Sequence, residues 1–334
     1  MEMGCTRTQR GASGAHISSV RGTSLVVRKA LRLTHLEKYP PLPYFQGRWS
    51  NGRVYTEYLA GMLGLRLVDN AVGGATTGAH NNSVLNVIGS FPDARRCQPP
   101  GMPPACPVQV VAVPSLLTQV AEYVKQEDQN INHLDIMLLE IGPNDVFGGL
   151  FGPAKIKDGD YDGFADRMAG AIWKALMTLH GAGARRFLVF NVPPISRTPL
   201  ISRLAGANAA LPNRTAVLVD AINGRLRPRV DQFRQLTGAA VVFYANSLLD
   251  AQTQPAAPAL GFTNLRDACS TFPVDVYGSP AFAVPPVGVE AASVCHNPGE
   301  HIFWDHVHFT TRFHWLQAGV VAAEMAPLLA SFPP

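Results

Sequence analysis

Three short stretches, far apart in the chain, carry residue types that together could cleave an ester. Phe303-Trp304-Asp305-His306-Val307-His308 sets an aspartate three residues ahead of a histidine. Well upstream lie Gly73-Gly74-Ala75-Thr76-Thr77 and Ile141-Gly142-Pro143-Asn144-Asp145. A carbonyl under nucleophilic attack develops negative charge on its oxygen. A glycine N–H can approach that oxygen closely, and an asparagine amide adds a side-chain donor. Each preorganised donor is worth about 3 kcal/mol in the transition state. A histidine takes the nucleophile's proton and later returns it to the leaving alcohol, while an aspartate holds the imidazole tautomer and stabilises the imidazolium. The short Asp-x-x-His spacing lets one loop carry both base and orienter. An Asp–His pair, a glycine at a strand–loop junction and a loop asparagine are the parts of a serine esterase, with the serine not plainly present.

Each residue has a plainer use. Gly73-Gly74 could make only a tight turn; a phosphate cradle would call for GxxxxGK[ST] or GxGxxG, which the run lacks. Asn144-Asp145 could cap a helix. His301, His306, His308 and His314 could join Asp305 around a metal ion, but no second carboxylate–histidine motif supports that. Neither a metal nor an organic cofactor is expected.

The elements that must position these residues alternate between strand and helix. Leu65–Val72 reads as a strand ending at Gly-Gly, and Leu134–Ile141 as a buried strand ending at Gly-Pro-Asn-Asp. Arg186–Asn191 and Ala239–Tyr244 read as two more. Helical spacing covers Leu116–Lys125, Ala165–His180, Thr215–Leu236 and Leu316–Leu329. Strands separated by such helices imply right-handed crossovers and a parallel sheet between helix layers. Ligands bind outside the carboxyl ends of strands in such sheets, which is where Gly74 and Asn144 fall. The stretch Asp250–Asn297, mostly Pro, Ala and Ser with two cysteines, reads as a long decorated loop.

Composition sets the broad class. The chain has 334 residues, 47% hydrophobic and 16% charged, as a globular protein with a sizeable core has. No apolar run reaches the roughly 18 residues of a transmembrane helix. The net charge of +4 is unevenly placed: Met1–Lys38 carries seven basic residues against two acidic, and the remainder 21 against 22. The basic balance thus belongs to the first segment and speaks poorly for nucleic-acid binding. Cys97 and Cys106 flank one Pro-rich loop, and Cys269 and Cys295 flank another irregular stretch; two short-range disulfides are preferred among three connectivities. With the sequons at Asn81 and Asn213, this points to a secreted protein. No apolar signal segment opens the chain, so the N-terminus is expected to be incomplete or wrongly assigned. Residues 1–22 are set apart as a basic leader, and 23–334 as one domain.

Taken in order, Arg32-Leu-Thr, then Pro43-Tyr-Phe-Gln-Gly-Arg-Trp-Ser-Asn-Gly-Arg-Val-Tyr-Thr-Glu-Tyr-Leu, then Asn70-Ala-Val-Gly-Gly-Ala-Thr-Thr, Ile141-Gly-Pro-Asn-Asp and Phe303-Trp-Asp-His-Val-His resemble the SGNH (GDSL-type) hydrolases, particularly their fungal and plant esterase/lipases. The resemblance runs from about Leu33 to the C-terminus. It implies an α/β fold: a three-layer α/β/α sandwich with a central parallel sheet of about five strands, flavodoxin-like. It assigns the oxyanion glycine to Gly74, the oxyanion asparagine to Asn144, and the dyad to Asp305 and His308. Phe309 departs from the family's usual proline, and Glu140 stands in an apolar strand where the family often has an aromatic.

The family's first block is a strand followed by Gly-Asp-Ser-Leu. Here only Gly22-Thr23-Ser24-Leu25 is comparable. In one alignment Ser24 is the nucleophile and His-Ile-Ser-Ser-Val-Arg the strand before it. In the other, Thr23-Ser-Leu-Val-Val is itself the first strand and the serine block is lost before Leu33. The second is slightly preferred, because Leu-Val-Val suits a central parallel strand better. The expectation is an extracellular carboxylic-ester hydrolase acting on an acyl or acetyl ester of a carbohydrate or lipid through Ser24, His308 and Asp305. A catalytically inactive binding protein on the same scaffold is the alternative. Tyr44, Phe45, Trp49, Phe147 and Trp304 are candidates to line the cleft.

Overall fold

The computed structural model describes residues 16–21 (by their backbone), 43–79, 114–151, 156, 159–246, 257–271 and 293–330. Five parallel strands form the main sheet: β1 (His16–Arg21), β2 (Arg66–Asp69), β3 (Ile136–Glu140), β4 (Arg186–Phe190) and β5 (Ala240–Tyr244), in the order β2-β1-β3-β4-β5. This is the doubly wound order in which the chain first builds one edge and then reverses past β1 to build the other. The reversal point lies between β1 and β3.

Strand side chains alternate between two faces, and the cores follow that alternation. Met137 and Leu139 of β3, with Phe187 and Val189 of β4, pack beneath three helices: α2 (Leu116–Gln126), α4 (Tyr161–Gly181) and α6 (Leu211–Thr237). Ile136, Leu138, Leu188 and Phe190 face the opposite layer. That layer holds α1 (Tyr55–Leu63), α7 (Thr311–Glu324) and the short α8 (Ala326–Leu329). The remaining helices, α3 (Pro143–Phe151) and α5 (Pro199–Ala205), lie over a further core at the site end. A two-stranded parallel sheet, β6 (Asn264–Ala268) with β7 (His301–Phe303), leads into the Asp305 loop.

The three-layer sandwich and its five strands agree with expectation, but several elements differ. The centre of the sheet is occupied by His16–Arg21, paired in parallel with both β2 and β3, and not by Thr23–Val27. A strand with neighbours on both sides satisfies its donors and acceptors whatever its hydropathy, which is why an unimpressive sequence fills this slot. The sheet therefore includes residues 16–21. β2 is shorter than Leu65–Val72, because residues 70–79 leave the sheet to build the site. The last helix starts earlier, at Thr311, and breaks near Met325, since Pro327 has no N–H to continue it. Part of the Asp250–Asn297 loop is strand β6.

Glu140, the acid in an apolar strand, lies on the α1–α7 side and accepts a hydrogen bond from Tyr55 Oη at 2.9 Å. Burial, then the charges of Glu140 and Glu324, push the neighbouring Tyr244 phenol up to about 12. Cys269 and Cys295 form the expected disulfide. Cys97 and Cys106 lie outside the described residues. Asn213 is exposed in the first turn of α6, while Thr215 of the same sequon is buried with its hydroxyl bonded to the Leu211 carbonyl at 2.8 Å. No helix among the described residues is long and apolar enough to cross a membrane.

Candidate active site

Asp305 and His308 sit in a tight loop between β7 and α7. Phe303 and Phe309 form an antiparallel bridge across it, and Trp304 N–H donates to the His308 carbonyl at 2.8 Å. Asp305 ties off the interior: its Oδ1 accepts the N–H groups of Val307 at 2.8 Å and His308 at 2.7 Å. Aspartate suits such a turn because its short side chain reaches the backbone two or three residues on. Thr310 then caps α7, accepting from Phe313 N–H.

The other carboxylate oxygen faces the imidazole. Asp305 Oδ2 lies 2.7 Å from His308 Nδ1 and accepts the Tyr44 hydroxyl at 2.7 Å. Asp305 is fully buried, whereas the His308 side chain keeps 14% of its surface exposed. One imidazole edge is therefore fixed by the carboxylate while part of the ring stays accessible. Burial pushes the Asp305 carboxyl up, but His308, Val307 N–H and the Tyr44 hydroxyl together outweigh it and hold it below the usual carboxylate range.

The two residues expected as oxyanion donors, Gly74 and Asn144, lie in the loop after β2 and in α3. Gly74 takes φ +84°, the left-handed region that favours glycine. A Cβ on Gly73 would come within 2.5 Å of Trp49 Nε1, so the first glycine is what allows the indole to lie against the loop. On another side Trp49 stacks on His308, ring centroids 4.8 Å apart and planes inclined by 21°. One aromatic ring thus joins the Gly-Gly loop to the histidine. Asn144, in the first turn of α3, donates from Nδ2 to the Ala75 carbonyl at 3.1 Å. Its neighbour Asp145 accepts from Thr77 N–H at 2.9 Å and from Thr77 Oγ1 at 2.6 Å. Burial drives the Asp145 carboxyl up to about 7, against the opposing pull of those Thr77 bonds. Neither residue is a helix N-cap; both lie inside α3.

Asp305, His308, Gly74 and Asn144 therefore gather at one end of the sheet, beyond the ends of β2 and β3. Ser24 lies outside the described residues. Of the cleft aromatics, Tyr44, Phe147 and Trp304 are buried and serve the core, Trp49 is partly buried, and Phe45 is exposed beneath the Arg48 guanidinium at 5.4 Å. The histidine cluster disperses. His301 Nδ1 lies near the Asn297 carbonyl, and His314 packs by Tyr55. Burial holds His306 below the usual imidazole range, Arg203 adding to it and Asp305 opposing. Among the described residues the one converging ligand set is Cys269, Cys295 and His301, whose two sulfurs are joined to each other. Sequence reasoning missed the functions of Tyr44, Thr77 and Asp145; all three lie within the matched motifs, but their partners are distant in sequence.

The chain is similar to known proteins. Residues 22–319 match the family model described as GDSL-like Lipase/Acylhydrolase. The chain is 24% identical over 287 residues to GDSL esterase/lipase 6 of Arabidopsis thaliana, covering 81% of this chain and 74% of that one. It is 25% identical over 281 residues to GDSL esterase/lipase EXL3 of the same plant, with 80% and 73% covered. A solved carbohydrate esterase family 2 enzyme with a carbohydrate-binding domain, from Corynascus thermopiles (Myceliophthora fergusii), aligns over 96% of this chain and 68% of that one. Its 14% identity and TM-score of 0.39 are too low to carry an argument.

Proposed function

Because the chain belongs to the GDSL-like lipase/acylhydrolase family and is an ester-bond hydrolase, we propose that it cleaves carboxylic esters through an acyl-enzyme formed on Ser24. The observation that carries this reading is the buried Asp305 carboxylate, tied by four short hydrogen bonds and holding His308 beside the Gly73–Gly74 loop. Chain geometry favours Ser24. β1 lies between β2 and β3, so its carboxyl end opens between the loops bearing Gly74 and Asn144. Ser24 follows Arg21 by three residues, a span of at most about 11 Å. Arg21 itself pairs with Glu140, shortly before Asn144. The family match begins at Gly22, on the Gly-Thr-Ser-Leu block.

Ser24 Oγ attacks the ester carbonyl carbon while His308 Nε2 takes its proton. The Gly74 N–H and the Asn144 amide stabilise the oxyanion. Collapse expels the alcohol, which receives the proton from His308. A water molecule, deprotonated by the same imidazole, then attacks the acyl-enzyme and frees the acid and Ser24. The substrate is an acyl or acetyl ester of a carbohydrate or lipid, and the protein works outside the cell, where the Cys269–Cys295 disulfide persists.

Labelling with a fluorophosphonate, located by mass spectrometry, tests the assignment. Modification at Ser24, with loss of p-nitrophenyl acetate hydrolysis by about 100- to 10,000-fold in His308→Ala, is the expected outcome. A folded chain that neither labels nor hydrolyses is instead a non-catalytic binding protein on this scaffold.

A further inference from the structure

We propose that Asp145 is a positioning residue for the oxyanion hole, acting on Gly74 through Thr77. This rests on the acyl-enzyme reading above and extends it. Asp145 is buried and belongs to α3, while Thr77 belongs to the loop after β2; the two are 68 residues apart in sequence. Besides accepting its own N–H in the first turn of α3, the carboxylate bonds to a second element. It reaches across to grip Thr77 twice, through the N–H at 2.9 Å and the hydroxyl at 2.6 Å. One residue earlier, Asn144 Nδ2 holds the Ala75 carbonyl at 3.1 Å. Consecutive residues of α3 thus clamp the loop at two points just beyond Gly74. Gly74 has φ +84° and no side chain of its own to fix its orientation. Trp49 fixes the loop on its other side, at Gly73. The direction of the Gly74 N–H is therefore set between the indole before it and the Asn144–Asp145 clamp after it. A donor that must be in place before charge develops needs such support.

A positioning role predicts a loss confined to the transition state. With p-nitrophenyl acetate, Asp145→Ala lowers kcat about 10- to 100-fold and Thr77→Val about 3- to 10-fold, with KM within about twofold of wild type in both. Asp145→Asn, which keeps one acceptor oxygen for Thr77, recovers part of the loss. The double variant Asp145→Ala/Thr77→Val is no worse than Asp145→Ala, because both cut one link. Inhibition by a trifluoromethyl ketone, whose tetrahedral adduct needs the hole, weakens in step with kcat, while inhibition by the product acid does not. Thr77→Val carries the test should Asp145→Ala fail to fold. Folded variants with kcat within twofold of wild type overturn the proposal, as do losses that multiply or fall wholly on KM. Wild type and His308→Ala are assayed alongside: hydrolysis that survives His308→Ala, or is absent from wild type, refutes the acyl-enzyme reading and this one with it. An active, His308-dependent wild type with an unaffected Asp145→Ala refutes the role of Asp145 alone.

Discussion

Tyr44 shows how one hydroxyl can decide the state of a buried acid. An ionised carboxylate removed from water is costly unless its lone pairs are used, and Asp305 uses them on two backbone N–H groups, one imidazole and one phenol. Tyr44→Phe leaves the ring in its edge-on contacts with Trp49 and Trp304 and deletes only the phenol donor. A hydrogen bond to a charged group contributes about 1.5–3 kcal/mol. Because the Asp305 carboxyl is held below its ordinary 3.8, the stability it contributes is present above pH ~4 and is lost as pH falls through the folded value. The variant is therefore expected to lose about 1.5–3 kcal/mol in denaturant unfolding at pH 7, and the gap to wild type should narrow below pH ~4. A gap that stays constant as pH falls through the whole acid range in which both proteins unfold cooperatively would mean that Tyr44 acts by packing and not on the carboxylate.

At the scale of elements, the loop after β2 and the first turn of α3 behave as one unit, and Asp145 gives that unit a pH signature. Its carboxyl is raised by burial to about 7, so the sign is opposite to that of Asp305. The neutral form is favoured in the folded state; the resulting stability is fully present below the unfolded value near 3.8 and is lost as pH rises through about 7. Asp145→Asn removes that slope. Unfolding free energies of the two proteins should lie closest near pH 4 and diverge up to about pH 7, the variant becoming relatively more stable, with no further divergence above. Parallel curves would show that Asp145 titrates alike in both states. These elements also show what the chain discloses before folding. The motif residues Gly74, Asn144, Asp305 and His308 are legible because each needs a particular backbone or functional group at a strand end or turn. The apolar runs of β3, β4 and β5 are legible because strands covered on both faces are hydrophobic throughout. Tyr44 on Asp305 and Thr77 on Asp145 are not, since nothing local marks a tyrosine or threonine whose partner lies 261 or 68 residues away. α1 and α3 escape notice for another reason: α1 is short, and Gly148 and Gly149 interrupt the helical pattern of α3.

For the molecule as a whole, the fold turns on β1. The strand pairs with β2 on one side and β3 on the other. Without it the sheet would split into β2 alone and β3-β4-β5, and the loop of Gly74 would lose its fixed relation to Asn144. His-Ile-Ser-Ser-Val-Arg is a weak strand by hydropathy, which is why Thr23–Val27 looks the better candidate from sequence; pairing on two edges is a property of topology and leaves no local trace. The two assignments place Ser24 differently. A strand at His16–Arg21 ends three residues before Ser24, at the switch point where ligands bind in such sheets. Within a strand at Thr23–Val27 Ser24 would be a sheet residue. Truncation separates them. Deleting residues 1–15 should leave far-ultraviolet circular dichroism and cooperative unfolding close to wild type, because β1 is retained. Deleting 1–22 removes the central strand, and the product should be insoluble or lack a cooperative transition. A cooperative, soluble 1–22 deletion would instead return the centre of the sheet to Thr23–Val27 and remove Ser24 from the active site, leaving the Asp305–His308 pair without that serine to activate.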